Sequence, residues 1–534
     1  MEASPSIIPA PVKLSLSQGS FSVDKTTRIL VAEPLLHAAT MLKNLLHDNS
    51  SFDITIEETA GNAPDRRSIA IVQDTVRVTE GPEAYNLAIT PDYVQIAASK
   101  PQGAFYGVQT LRQLLDPSIE TTVPVTRADA WNLPCVEIHD YPRFPWRGFM
   151  LDTARHFFGK DTILRLLDVL ACLKMNVFHW HLTDDQGWRI EIKKYPKLIE
   201  IGSKRKDSQV GGYISPKMEG KPHEGHYTQD EAREIVAYAQ DRCITVVPEI
   251  DTPGHSTAAL ASYPELSCTG GPFEVFTKFA TMKGVYCIGK ERTFTFLQDV
   301  LDEIIDIFPS KIIHIGGDET STLSWKKCPD CKARMKAENL GKARELQTFF
   351  TNRVARMLQD RGRTLMGWNE VLAADLAPDA IVQFWTGRTK RIMPHLAKGR
   401  QFVMSPFFNV YIDHDYVLLP LKMVYEYDPV PKNLPESQHK NILGIEVPLW
   451  TEWVRNTRRM YWQLFPRLLA VAETGWTPRA SKDYASFKAR AEQFYARLLQ
   501  KGMSFAPMDR VERKWYRSLL PILHLLFEPK VPQG

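Results

Sequence analysis

Cysteine is scarce and odd in number: seven residues in 534, so at least one thiol has no partner within the chain. Long apolar runs are also absent. The longest near the C-terminus, Leu519 to Phe527, falls well short of the roughly 20 residues that span a bilayer, so no transmembrane segment is expected. Neither charge sign is in large surplus. Lysine and arginine number 66 against 62 aspartates and glutamates, and a net +4 on so large a surface gives no reason to expect nucleic acid or membrane as a partner. No Gly-x-Gly-x-x-Gly follows any strand-like run, so dinucleotide binding has no support. The opening residues, Met-Glu-Ala-Ser-Pro, have neither a basic n-region nor an apolar h-region, and the sequence as it stands shows no secretory signal.

What is present belongs to a folded protein. Hydrophobic residues make up 44% and charged residues 24%, which rules out general disorder. The length exceeds one ordinary domain of roughly 100–200 residues, so two domains are expected, one of them large. Before about residue 140, Thr75–Thr79, Tyr85–Thr90 and Tyr93–Ser99 alternate β-formers with polar residues. Pro91-Asp92 sits where a hairpin would turn, and Gly103–Leu115 follows at helical spacing. This pattern predicts a small α+β domain with an antiparallel sheet over 1–140.

From Trp146 the rhythm changes. Short apolar runs recur at Gly148–Leu151, Val177–Trp180, Ile244–Pro248, Ile312–Ile315, Thr364–Gly367, Ile381–Trp385, Phe402–Ser405 and Leu443–Val447. Between them lie helical patterns: Ile163, Leu166, Leu167 and Leu170 before the second, a Thr228-to-Glu231 capping box before the third, and Leu297 to Ile305 before the fourth. Eight strands separated by helices predict an α/β fold, a (β/α)8 TIM barrel over 141–500, with a doubly wound sheet as the runner-up. A helical extension is expected over 501–534.

A barrel carries its chemistry where its strands end, and polar residues gather there. The first four runs close on Asp152 and Arg155-His156, on Asp184-Asp185, on Glu249, Asp251 and His255, and on Asp318-Glu319. Glu370, Trp385, Glu446 and Glu452 follow later runs. One such tip is ordinarily a helix cap or an ion pair; six together point to a shared cleft. Adjacent Asp318 and Glu319 repel, so one of them is pushed toward holding its proton near neutrality, as a general acid must. Regular strand alternation would send only one of them to the cleft, but Gly316-Gly317 allows the backbone to depart from it. His179 and His181 share a strand face and fit a hydrogen-bonded pair better than a metal site, since no third ligand is closely spaced. Trp368, Trp385 and Trp450 at strand ends, with carboxylates and arginine, have the composition of a sugar pocket.

Cys268 and Cys287 flank a short loop and could bridge, and Cys328-Pro-Asp-Cys331 is a tight CxxC. A zinc site would need further ligands near that pair, and with no second CxxC a loop staple or spare thiols is the preferred reading. The sequon Asn49-Ser50-Ser51 decides nothing.

Arg147-Gly-Phe-Met-Leu-Asp-Thr-Ala-Arg155-His, His179-Trp-His-Leu-Thr-Asp-Asp-Gln186, Pro248-Glu-Ile-Asp-Thr-Pro-Gly-His255 and His314-Ile-Gly-Gly-Asp-Glu319 closely resemble glycoside hydrolase family 20, the β-N-acetylhexosaminidases, in their bacterial form. The likeness runs over about residues 5–500. It implies a retaining, exo-acting enzyme in which the substrate's own 2-acetamido oxygen attacks C1, the substrate-assisted exception among glycosidases. Glu319 would be the general acid/base, and Asp318 would hold the acetamido N–H. Tyr411 would bind the acetamido carbonyl, Arg155 the O3 and O4 hydroxyls, and Asp413 with Glu452 the O4/O6 side. Trp368, Trp385 and Trp450 would wall the pocket, and Asp184 with His255 would orient Glu319. No metal or organic cofactor is implied. The partner is a carbohydrate, and assembly is open, a homodimer included. The resemblance suggests a periplasmic or secreted protein, with a cytoplasmic one still open. Two alternatives stand: a disaccharide-releasing enzyme of the lacto-N-biosidase kind, and a non-catalytic glycan-binding protein. The insertion Ser203–Tyr227 is either a border of the leaving-sugar subsite or a solvated loop.

Overall fold

The computed structural model describes residues 5–50, 52–59, 64–121, 130–279, 284–373 and 375–512. All eight apolar runs become strands of one closed parallel barrel: Trp146–Asp152, Val177–His181, Thr245–Glu249, Ile312–His314, Thr364–Trp368, Ile381–Phe384, Phe402–Met404 and Ile442–Leu449. The last pairs with the first in parallel, Leu449 opposite Leu151, which closes the ring. Helices cover it outside. Ile163, Leu166, Leu167 and Leu170 form the buried stripe of helix Lys160–Cys172, and Leu297, Val300, Leu301 and Ile304 that of helix Glu291–Ile307. The capping box opens helix Gln229–Gln240, Thr228 accepting from the Glu231 N–H.

The barrel interior is polar at its centre. Glu446 accepts from Trp146 Nε1 at 2.9 Å, meets His179 Nδ1 at 2.7 Å and accepts from Gln383 Nε2 at 2.8 Å. Glu249 accepts from Trp368 Nε1 at 2.9 Å, lies 2.8 Å from His314 Nδ1, and meets His181 Nδ1. His179 and His181 are thus held by buried carboxylates, as a hydrogen-bonded pair requires.

The N-terminal domain is a seven-stranded sheet packed on helices Leu36–Asp48 and Pro101–Leu114. One half is antiparallel, with Lys13–Val23, Trp131–Asp140, Tyr85–Ile89 and Tyr93–Ala98 in that order. The other half adds Ser68–Gln73, Arg28–Val31 and Ile56–Glu58 in parallel. Thr75–Thr79 is not a strand, contrary to its alternation. The Asp74 carboxylate accepts from the backbone N–H of Val76 and Arg77, folding the segment into a turn that leaves Val76 84% exposed. The strand lies just before it, in Ser68–Gln73, whose interior is apolar on both faces and shows no alternation. Of the expected C-terminal helical extension, 501–512 runs as turns and irregular chain, and 513–534 lies outside the described residues.

Cysteine packing departs from the sequence reading. The ligands that seemed missing near the CxxC are supplied from a distance, because Cys268 and Cys287 fold onto Cys328 and Cys331, and all four are free thiols.

Candidate active site

The fourth barrel strand stops at His314, and the chain then leaves the strand direction. Gly316 and Gly317 take φ of +68° and +95°, and Glu319 itself takes +45°. A Cβ on Gly316 would stand 1.7 Å from Asp251 Oδ1, and one on Gly317 2.3 Å from Val371 Cγ1, so neither position accepts a side chain. This departure defeats strand alternation and delivers both carboxylates to one place. Asp318 Oδ2 and Glu319 Oε2 each lie 3.6 Å from His255 Nε2. His255, at the end of the third strand, also sits at a left-handed φ of +45°. Two non-glycine residues in that region, costing roughly 1–3 kcal/mol each, mark a place where geometry is held against local preference.

His255 is fixed from behind by Asp184 Oδ1, 3.1 Å from its Nδ1. Burial opposes charge on the ring, but Asp184, Asp318 and Asp251 around it hold its pKa well above the usual histidine value. The imidazolium then presents its Nε2–H between the two acids. Asp184 is buried, yet Arg155 and His255 keep its carboxyl ionised below the normal range. Asp318 behaves in the opposite way: burial first, then Glu370, Glu249 and Glu319, outweigh His255 and raise its pKa to about 7. Asp318 is thus an acid lifted toward neutrality. Glu319 has a more open side chain, 39% exposed, facing the mouth.

Aromatic walls stand around this pair. Trp385 stacks on Tyr411 at 6.1 Å, Trp450 lies 6.4 Å from Tyr411 and 5.8 Å from Trp368, and Trp368 is buried at the base with its indole on Glu249. Burial keeps the Tyr411 hydroxyl protonated, a donor. Arg155 lies over Trp450 at 4.9 Å with one arm already on Asp184 at 2.8 Å. Asp413 and Glu452 complete the far side, and burial, with Asp152 and Asp413, raises Glu452 to about 7 against the pull of Arg155. Asp184, His255, Asp318, Glu319, Arg155, Trp368, Trp385, Tyr411, Asp413, Trp450 and Glu452 all end or follow barrel strands.

Others went unassigned. Glu370 accepts from Trp385 Nε1 at 2.8 Å, and burial together with Glu319 raises its pKa. Asp251 is enclosed, with neither oxygen hydrogen-bonded, and burial and Asp318 push it well upward. Both stood at strand ends in the sequence, but nothing there said which way they turned. Tyr213, from the Ser203–Tyr227 insertion, donates to Glu452 Oε1 at 3.2 Å and packs edge-on against Trp453 at 5.2 Å. The insertion is thus neither a free loop nor, at Tyr213, remote from the pocket.

Residues 144–479 match the family model for the glycosyl hydrolase family 20 catalytic domain, and residues 4–141 that for glycosyl hydrolase family 20, domain 2. The chain belongs to glycosyl hydrolase family 20. Within this family, a beta-hexosaminidase of Porphyromonas gingivalis is 40% identical over 516 residues, covering 93% of this chain and 64% of that protein. The chain thus spans just under two thirds of that relative. A beta-N-acetylhexosaminidase of Cellulomonas fimi is 31% identical, covering 96% of each. Among solved structures, the family 20 exo beta-N-acetylglucosaminidase of Vibrio harveyi in complex with N-acetylglucosamine superposes with a TM-score of 0.82 at 30% identity, covering 94% of this chain and 78% of that one. The Streptomyces plicatus N-acetyl-beta-hexosaminidase in complex with Thio-NAglucal does so with a TM-score of 0.82 at 31% identity, covering 96% and 98%. The barrel is thus the family's catalytic domain and the N-terminal sheet its domain 2.

Proposed function

We propose that this chain removes terminal β-linked N-acetylglucosamine and N-acetylgalactosamine from non-reducing ends, with the substrate's acetamido group as nucleophile. One observation carries the reading: Asp318 and Glu319 both lie 3.6 Å from a single nitrogen of His255. Two carboxylates gathered on one ring lie on one wall. They do not flank a sugar from opposite faces, as an acid and an enzyme nucleophile must.

Glu319 protonates the glycosidic oxygen, and its more open position suits contact with a departing sugar. Asp318 accepts the acetamido N–H and offsets the positive charge that grows on that nitrogen as its carbonyl oxygen closes on C1. A buried carboxyl with a raised pKa gains most when such charge appears beside it. Tyr411 donates to the acetamido oxygen and aims it, a unimolecular geometry worth several kcal/mol in effective concentration. The oxazolinium ring is then opened by water that Glu319, now a base, deprotonates, with net retention. His255, backed by Asp184, acts through the two acids. Arg155, Asp413 and Glu452 grip the O3, O4 and O6 hydroxyls, and Tyr213 on Glu452 closes that side, which favours release of a single sugar over a disaccharide.

The test is hydrolysis of the p-nitrophenyl β-N-acetylglucosaminide and β-N-acetylgalactosaminide beside the plain β-glucoside, followed by a series with a progressively fluorinated acetyl group. Both acetamido sugars should turn over and the glucoside should not, and rates should fall steeply as fluorine weakens the acetamido oxygen. A rate indifferent to fluorination would place the nucleophile on the protein.

A further inference from the structure

Four cysteines from three separate segments of the chain converge beside the active-site loops. Cys268 Sγ lies 3.7 Å from Cys331 Sγ, and Cys287 Sγ lies 3.6 Å from both Cys328 and Cys331, with all four sulfurs within 4.8 Å of one another. Cys287, Cys328 and Cys331 are buried, and Cys268 is half-buried. These separations are far longer than a disulfide bond of about 2.05 Å. They match the edge of a tetrahedron whose corners stand about 2.3 Å from a central ion, an edge of roughly 3.8 Å.

We propose that Cys268, Cys287, Cys328 and Cys331 hold one structural Zn2+ ion as four thiolates. The surroundings are built for it. Cys328 is the N-cap and Cys331 lies in the first turn of helix Pro329–Ala337, so the positive end of the helix faces the sulfurs. Gly289 gives its backbone N–H to Cys287 and Cys331 from the other loop. A Cβ there would lie 2.1 Å from the Asp330 carbonyl carbon and 2.4 Å from the Cys331 nitrogen, so the two loops meet only because the residue is glycine. Lys290 Nζ clamps the third segment by donating to the carbonyls of Glu265 at 3.0 Å and Ser267 at 2.7 Å. An all-sulfur, four-coordinate set suits a soft or borderline ion and not Mg2+ or Ca2+. With every position taken by sulfur, the ion has no open site for catalysis. Binding releases the thiol protons and involves no redox step.

The ion would staple the loops that carry the chemistry. Tyr286, next to Cys287, donates its N–H to the Pro253 carbonyl at 3.0 Å, two residues from His255. Its own carbonyl accepts from Trp325 Nε1 at 2.9 Å, on the helix that follows Asp318 and Glu319. The zinc thus ties the His255 loop to the loop of the paired acids.

The full chain, purified without a metal-affinity step and dialysed against a weak chelator, should carry about one zinc per chain by plasma mass spectrometry. A mercurial should release that zinc to a colorimetric chelator as the four thiols titrate. Once denatured and stripped, all seven cysteines should alkylate. Cys331→Ser should lose the zinc. Cys268→Ser, at the half-buried corner, should keep the fold and lower zinc affinity at least about 100-fold in chelator competition. An intact mass lower by two hydrogens per bridge, with those cysteines unreactive, would replace the ion with disulfides and overturn the proposal. Free thiols that take up no zinc on reconstitution, or iron with its visible colour as the occupant, would overturn it equally.

Discussion

At the residue scale, the two neighbouring acids differ in what their loss should do. Glu319→Gln keeps size and hydrogen bonding but cannot deliver a proton, so turnover on sugar leaving groups should fall about 100- to 10,000-fold with KM little changed. A nitrophenolate, which leaves without help, should suffer much less in the first step. Equal losses on both substrates would move Glu319 out of the acid role. Asp318→Asn should also cripple turnover, yet it should stabilise the fold. The Asp318 pKa rises from an ordinary 3.8 to about 7 on folding, chiefly through burial. Between those values the native state holds a proton that the unfolded chain releases, so stability falls as pH rises through that window. Asparagine escapes this penalty. The variant should melt higher than the parent at pH 7.5, by about 1–3 kcal/mol, with the gain shrinking toward zero as pH drops to about 4. Thermal melts across that range check it, and a gain independent of pH would remove the carboxyl as its cause. Repulsion between adjacent acids was legible in the sequence. The rise at Asp318 was not, because its burial and the nearness of Glu370 and Glu249 arise only in the fold.

At the scale of elements, every barrel strand was legible, since a strand covered on both faces reads as a short, mainly apolar run, unbroken in Gly148–Leu151. Thr75–Thr79 shows the converse weakness. Alternation is a signal of one buried face, and a turn held by Asp74 can imitate it over five residues. The Gly316-Gly317 step was readable as a break, but the sequence did not show what forbids a side chain there. Gly316→Ala should therefore cost more than a strained φ alone, since its Cβ would fall 1.7 Å from Asp251 Oδ1, displacing that carboxyl and the Asp318 it faces. A loss of about 2–4 kcal/mol in urea unfolding is expected, together with a fall in kcat. Unchanged kcat would show that the acids keep their place without the glycine. The cysteines were legible only in part. Cys328 and Cys331 announce themselves by spacing, but their partners arrive through the loop between the third strand and helix Glu291–Ile307, a proximity that no local pattern encodes.

At the scale of the whole molecule, the two matched domains share one buried electrostatic joint. Asp140, the last residue of the N-terminal sheet, receives Lys174 Nζ at 2.7 Å, the Tyr85 hydroxyl at 2.6 Å and Trp476 Nε1 at 2.8 Å, with Asp140 and Lys174 both fully buried. Lys174 belongs to the turn between the barrel's first helix and second strand, and Trp476 ends the helix Arg467–Trp476. One carboxylate thus joins the sheet to two distant parts of the barrel. Beside it, Glu83 meets the buried Arg147 guanidinium at 2.6 Å. Removing one member of a buried pair strands the other charge, which costs far more than removing both. Asp140→Ala should therefore destabilise by about 3–5 kcal/mol, while Asp140→Asn combined with Lys174→Met should cost less than the sum of its singles. Because the joint belongs to both domains, the loss should appear in a single cooperative transition by calorimetry. If Asp140→Ala instead gives an early melt of the N-terminal sheet and an unchanged barrel transition, the domains fold independently. The joint would then be a contact between neighbours and no part of a common core.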